Sequence, residues 1–181
     1  MKWSYDSGIV LAVLAVSRLS FGDAGKVITP KDECDVLLNT VVPFAREMLS
    51  KHKGFFPFGA TMSPSGKVSR TEGPTGDVQL KDLIALLEQG FQDGAQQGLY
   101  KATALVVEVK TTPPGKKEKQ TAVEVRLDHR DNYSVRVVFP YDFSSAGELT
   151  LGSPFAVPGD RKIFIPPVAS SRSTGRMPDA N

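Results

Sequence analysis

The side chains with the clearest potential for metal or nucleophilic chemistry in this 181-residue chain are two histidines, a single cysteine and nearby aspartates. His129 follows Asp128 and precedes Asp131 by two residues, whereas His52 and Cys34 lie far away in the sequence. No two of these ligand types have the spacing of a known metal site. The chain also lacks a glycine-rich phosphate loop, a G-x-S-x-G turn and an H-E-x-x-H pair. The sequence therefore predicts no catalytic residue, no metal site and no cofactor.

The sequence still allows one hypothesis for a small-molecule site, around His129. It would gather His129, Asp128, Tyr133 and Tyr141 at one end of a sheet, where converging polar groups could line a pocket. The alternative is that His129 is a partly buried rim residue that packs on Tyr133. Cys34 has a similar pair of interpretations: a helix N-terminus could lower the pKa of its thiol, or it is a small buried hydrophobic residue.

Two features could instead contact another protein. The sequence "GFFPFG" contains Phe55, Phe56 and Phe58, which on an edge strand could expose an apolar patch and in the core would not. Gly90 and Gly94 lie four residues apart in a predicted helix, where a partner backbone could approach closely or where the helix runs to its end. The favoured function is a non-enzymatic binding or assembly module, such as a homodimer. A small-molecule sensor or an enzyme with a site near His129 is the alternative.

The first 22 residues have the order of a secretory signal peptide. Lys2 precedes an unbroken apolar run at residues 9–16, and Ser20 and Gly22 provide a small-x-small site before Asp23. Arg18 ends the run well short of the roughly 20 residues that cross a membrane. This order predicts a secreted or periplasmic protein, and no membrane span. The alternative is an ordinary N-terminal helix that packs on the domain of a cytoplasmic protein.

Composition predicts one soluble domain at residues 23–165, followed by a disordered tail at residues 166–181 that is poor in apolar residues. Hydrophobic residues make up 40% of the chain and charged residues 23%, which is typical of a globular protein. The net charge of +2 provides no general attraction to nucleic acid, so none is predicted as a partner.

Helical and strand periodicities alternate along the predicted domain. A helix begins at Thr29, where a proline follows an N-cap residue, and ends at Gly54; Pro43 predicts a kink or two shorter helices. A hairpin with a turn at residues 63–66 follows, and then a second helix that runs from an N-cap at Asp77 towards Gly98.

Three strands are predicted at residues 101–111, 121–130 and 133–140. The apolar residues of the last two are all odd-numbered, so they share a face only if the loop between them has an odd number of residues. A three-residue loop at 130–132, with Asn132 left-handed, meets this condition and pairs Leu127 with Val135. The reverse face is predicted to be a charged, solvent-facing surface. One or two short strands are expected after Phe143, for instance at residues 162–165.

The runs "KGFFPFGATMSPSGKV" and "LVVEVKTTPPGKKEKQTAVEVRLDHRDNYSVRVVFPY" resemble a bacterial family of small proteins to which no activity is assigned. The resemblance covers roughly residues 45–165, rests on the blocks "FFPFGA" and "LDHRD", and implies no catalytic residues. The order helix, two strands, helix, three strands is similar to the roadblock and profilin-like folds. The predicted fold class is α+β: an antiparallel sheet of about five strands with two main helices packed against it.

Overall fold

The computed structural model describes residues 27–73 and 79–165, and within these ranges it contains two helices and seven strands. In chain order they are α1 (Pro30–His52), β1 (Phe58–Met62), β2 (Val68–Glu72), α2 (Leu80–Gln96), β3 (Ala102–Thr111), β4 (Gln120–His129), β5 (Tyr133–Phe143), β6 (Leu149–Leu151) and β7 (Phe155–Pro158). The predicted signal peptide, the Asp77 cap and the C-terminal tail lie outside the described residues.

The strands form one antiparallel sheet in the order β2-β1-β3-β4-β5-β6, and β7 also pairs with β5. The α+β class is confirmed, but the strand count is seven rather than about five. The difference arises after Phe143, where the chain turns back and pairs with β5 twice. The predicted strand at residues 162–165 is absent; Ile163 is instead buried against α2.

The hairpin of β4 and β5 has the register that the alternation of apolar residues predicts. Leu127 pairs with Val135 and His129 with Tyr133, across a loop in which Asn132 has a φ of 67°. Asparagine tolerates this left-handed conformation better than most residues, so the three-residue loop closes with little strain. The prediction is confirmed.

α1 begins with a capping box. The Thr29 hydroxyl accepts a hydrogen bond from the Asp32 amide, and the Asp32 carboxylate accepts one from the Thr29 amide. The helix continues through Pro43 to His52, so the alternative of two shorter helices is wrong. Pro43 and Asn39 are both exposed, so the Asn39 carbonyl that loses its helical hydrogen bond can be solvated. The left-handed residue at the end is Lys53, one position before the predicted Gly54.

The two helices lie on opposite faces of the sheet. α1 covers the face that carries Ala104, Val106, Val125 and Leu127, and α2 covers the face that carries Leu105 and Val107. The charged face of β4 is therefore not the solvent face that the sequence predicts. Its Glu124 is only 7% exposed and pairs with Arg126, which also bridges Glu88 of α2.

Two glycines allow α2 to pack closely. A Cβ atom on Gly59 of β1 would lie 2.5 Å from the Phe91 ring, so the missing side chain lets Phe91 rest on the sheet. A Cβ atom on Gly94 would lie 2.1 Å from the Tyr100 ring of the same chain, whereas nothing lies within 4 Å of one on Gly90. The helix then ends with the amide of Leu99 bonded to the Gly94 carbonyl, a helix end of the Schellman type.

We predict opposite effects for the two helical glycines of α2. Gly94→Ala should lower the free energy of unfolding by about 1–3 kcal/mol, because the new methyl overlaps the Tyr100 ring. Gly90→Ala should raise it by up to about 1 kcal/mol, because alanine is the better helix former and the site is open. Urea unfolding followed by circular dichroism measures both values. An unchanged or raised free energy of unfolding for Gly94→Ala would contradict the packing of Tyr100 on Gly94.

Candidate functional site

His129 lies at the last position of β4, where three elements of the fold meet. The three-residue loop places it beside Tyr133, the first turn of α1 brings Glu33 to it, and the residue before β3 contributes Lys101. The side chain of His129 is 1% exposed. This corner of the molecule is thus a polar cluster enclosed by protein.

Both ring nitrogens of His129 are engaged. Nδ1 lies 3.0 Å from the backbone nitrogen of Asp131, and since an amide N–H can only donate, Nδ1 is an unprotonated acceptor. Nε2 lies 2.8 Å from Oε2 of Glu33 and therefore donates its proton to that carboxylate. A neutral imidazole in this tautomer leaves no nitrogen free for a substrate or ligand.

Glu33 is the central acceptor of the cluster. One of its oxygens accepts from His129 and the other from the Lys101 ammonium group. Burial raises the pKa of the Glu33 carboxyl, but the hydrogen bonds from Lys101 and His129 lower it by more, so the pKa lies below its ordinary range. The cluster is therefore an ionised clamp between α1 and the ends of β3 and β4.

The other three residues of the small-molecule hypothesis are dispersed. Tyr133 lies beside His129, on the same face of the sheet. Asp128 points to the opposite face, where its carboxylate accepts from the Ile163 amide at 3.4 Å. Tyr141 lies at the other end of β5, about 26 Å away along the strand, and donates to Glu108 at 2.7 Å. The structure therefore brings only Tyr133 to His129.

Cys34 is a buried thiol rather than a reactive one. It has no exposed surface, and burial, together with the nearby carboxylates, raises its pKa to about 12. The interpretation as a small hydrophobic residue fits this environment, and the lowered pKa that a helix N-terminus could produce does not.

The phenylalanine cluster is mostly internal. β1 is paired with β2 on one side and β3 on the other, so it is not the edge strand that the sequence suggests. Phe58 is buried, and the Phe44 and Phe55 rings pack edge-on against it at centroid distances of 4.9 and 5.8 Å. Phe56 is 66% exposed, so of the three predicted residues Phe55, Phe56 and Phe58 it is the one whose ring remains available to a partner.

A small cavity lies between α2 and the charged face of β4. Arg126 bridges Glu88 of α2 at 3.0 Å and Glu124 at 2.8 Å, and Lys162 and Arg136 approach the same two carboxylates. Because each charge faces a partner of opposite sign, the network joins α2 to the sheet and gives the cavity no excess charge.

An apolar surface that sequence reasoning missed lies between α1 and β5. We call it the trough; it consists of partly buried side chains and is formed by Leu38, Val42, Val135, Val137, Phe139 and Leu151. Its deepest part is a shallow depression, which Val42, Phe139 and Leu151 line together with Arg46. The alternation along β5 placed these valines on the apolar face, but nothing in the sequence indicated that α1 would leave them partly exposed.

α1 leaves the side chains of the trough partly exposed because it packs over β1, β3 and β4 and only marginally over β5. On the opposite face, α2 and the chain near Ile163 together extend across β3 and towards β5. Among residues 27–73 and 79–165, no second helix covers β5 on the α1 side. The two faces of the sheet are therefore unequally covered.

Within the described ranges, no group of three or more metal-ligating side chains is close enough to hold an ion, and no helix is long and apolar enough to cross a membrane. Comparisons with models of protein families, with curated proteins and with solved structures found no match to this chain.

We predict that Glu33→Gln lowers the free energy of unfolding at pH 7 by about 2 kcal/mol, because the charge-assisted bonds to Lys101 and His129 are lost. The folded-state pKa of Glu33 lies below the unfolded value of about 4.3. Its contribution is therefore complete above that value and is lost as the pH falls through the lowered pKa. Between pH 5 and pH 2 the variant should lose less stability than the parent chain.

Urea unfolding from pH 7 to pH 2 measures both effects. The control is Glu47→Gln, because Glu47 lies on the same helix and pairs with Lys51 at 2.6 Å in an exposed position. Its effect at pH 7 should be much smaller, since solvent screens the pair. Equal effects of the two substitutions would show that the Glu33 cluster is no more than a surface contact.

Proposed function

We propose that this chain is a non-enzymatic binding module that holds an apolar segment of a protein partner in the trough. The observation that carries this proposal is the row of apolar side chains on β5 that α1 covers only in part, so that each stays partly exposed. Apolar side chains exposed in a row can serve as a site where another chain packs. The walls of the trough belong to a helix and a strand, so the site is preformed.

The polar side chains described above are engaged with one another, and this supports the same proposal. His129 uses both nitrogens, Tyr141 donates to Glu108, and the charges around Arg126 are paired. Every buried side-chain nitrogen and oxygen of the described residues has a hydrogen-bond partner. A catalytic site needs a group that is free to act on substrate, and these contacts favour structural roles.

The partner segment would be uncharged, since the lining of the depression is aliphatic and aromatic apart from Arg46 at one wall. Val42 and Leu38 lie four residues apart on α1, and Val135, Val137 and Phe139 alternate along β5. Apolar side chains of a bound helix or strand could enter between these two rows. Such binding would be driven by the removal of apolar surface from water.

We predict that Val42→Glu weakens the binding of an apolar fluorescent dye, anilinonaphthalene sulfonate, by about tenfold or more. The parent for this test is the full chain. A charge at position 42 would be desolvated by any occupant of the depression. Fluorescence titration measures the affinity.

The control is Val36→Glu, because Val36 lies on the same helix and is 49% exposed on its outer face. It should leave the affinity unchanged. Val137→Thr, which keeps the shape of the strand residue, should weaken binding to a smaller extent than Val42→Glu. If the parent does not bind the dye, or if Val36→Glu has the same effect as Val42→Glu, the trough is not the binding surface.

We also propose that the protein is exported and that residues 1–22 are removed. The support is the order of Lys2, the apolar run at residues 9–16 and the small residues before Asp23. Expression of the natural chain in a bacterial host should yield a periplasmic species whose intact mass corresponds to a start near Asp23. A full-length species confined to the cytosol would contradict export.

A further inference from the structure

β2 forms one outer edge of the sheet. It pairs with β1 over its whole length without a bulge, and no other strand of residues 27–73 and 79–165 pairs with its outer side. β2 contains no proline, so each of its amides can donate a hydrogen bond. An open edge of this kind is a template for a further strand.

The amides and carbonyls of every second residue of β2 point away from β1. The Ser63 amide donates to the Lys67 carbonyl at 2.9 Å, so these two residues form a hydrogen-bonded pair at the end of the hairpin. Bonded and non-bonded pairs alternate along an antiparallel ladder. Thr71 therefore bonds to β1, whereas Arg70 and Glu72 present their backbone groups to the outside.

We propose that these groups join β2 to the β2 strand of a second copy of this chain, across a two-fold axis at Thr71. Arg70 of each copy would pair with Glu72 of the other, and each of these pairs would exchange two main-chain hydrogen bonds. The two sheets would continue as one. Since β1, β3 and β4 lie between β2 and β5, this interface does not depend on the trough.

Side-chain alternation and charge select this register. Residues directly opposite in an antiparallel pair share a face of the sheet, so a two-fold axis between identical strands lies at a residue and not between two residues. An axis at Arg70 or at Glu72 would place identical charges opposite each other, which destabilises the pair. An axis at Ser69 would place Arg70 opposite the apolar Val68. The axis at Thr71 places opposite charges together.

The two charges of β2 are held at the edge and have opposite signs. Arg70 and Glu72 approach each other to 3.5 Å, with side chains 44% and 63% exposed. The Arg70 guanidinium lies 3.9 Å from the centre of the Phe44 ring, which holds it on the α1 side of the sheet. Edges that resist association commonly carry lysines, which repel a second copy. The charges of β2 are instead complementary to themselves, so they favour one partner and one register.

Charge reversal tests the inference in the full chain. Sedimentation equilibrium should show that the parent is a dimer. Arg70→Glu and Glu72→Arg should each raise the dissociation constant by at least about tenfold, because each variant places like charges opposite one another. An equimolar mixture of the two variants should recover the association of the parent, because a copy with two negative charges then faces a copy with two positive charges.

The control is Lys31→Glu, which reverses an exposed charge on α1 that pairs with Asp35. It should leave the dissociation constant unchanged. A parent that is monomeric at about 0.1 mM would overturn the inference. A mixture that associates no better than each variant alone would also overturn it, since the mixture separates pairing between copies from an effect on folding.

A disulfide across the axis tests the register. In Thr71→Cys, two thiols of different chains should each lose one hydrogen to diamide and form a disulfide. The Cα atoms of a non-hydrogen-bonded pair lie about 4.5 Å apart, within the range of a disulfide. Ser69→Cys should not link, because its two copies would lie about 14 Å apart along the strands. Cys34 is fully buried and is retained in both variants.

Electrophoresis without reductant measures the linked fraction. Thr71→Cys should link at least about tenfold faster than Ser69→Cys, because the axis holds only the first pair of thiols in contact. Equal rates for the two variants, or linkage only in a mixture of the two, would place the axis elsewhere and overturn the inference.

Discussion

The pairing register of β4 and β5 is the constraint on which both faces of the sheet depend. Side chains alternate between the faces of a strand, so a slip of one residue would move every apolar side chain of β5 away from α1. The loop at residues 130–132 prevents the slip, and Asn132 closes it with a φ of 67°. The same register places His129 beside Tyr133 and leaves Val135 and Val137 in the trough.

The second determinant is the attachment of α1 at its first turn. Thr29 and Asp32 cap the helix, and Glu33 in the next position binds Lys101 and His129. The start of the helix and its attachment to the sheet therefore occur within a single turn. This anchor lies at the ends of β3 and β4, two of the three strands that α1 covers.

Local chemistry accounts for the parts of this structure that the sequence could predict. The N-cap at Thr29, the turn at residues 63–66 and the β4–β5 register each follow from a few neighbouring residues, and each was correct. The failures concern contacts between distant segments. No residue near Glu124 in the sequence indicates that its side chain will be buried. None near Gly94 indicates that the Tyr100 ring will pack against it. The four residues of the hypothesis at His129 do not come together, because Asp128 points to the opposite face of the sheet and Tyr141 lies at the far end of β5.

The chain runs back along β5 first as β6 and then as β7, and these two short strands form the outer edge of the sheet. Between β6 and β7 the pairing with β5 shifts by one residue, so that Ser153 and Pro154 lie opposite Phe139. Pro154 and Pro158 have no amide hydrogen, and the bulge bends the outer strand. A further strand could therefore bond in register over only four residues of β7 or three of β6. The interruption makes this edge a poor template for fibril growth, which protects a valine-rich sheet at the high concentrations of a cell.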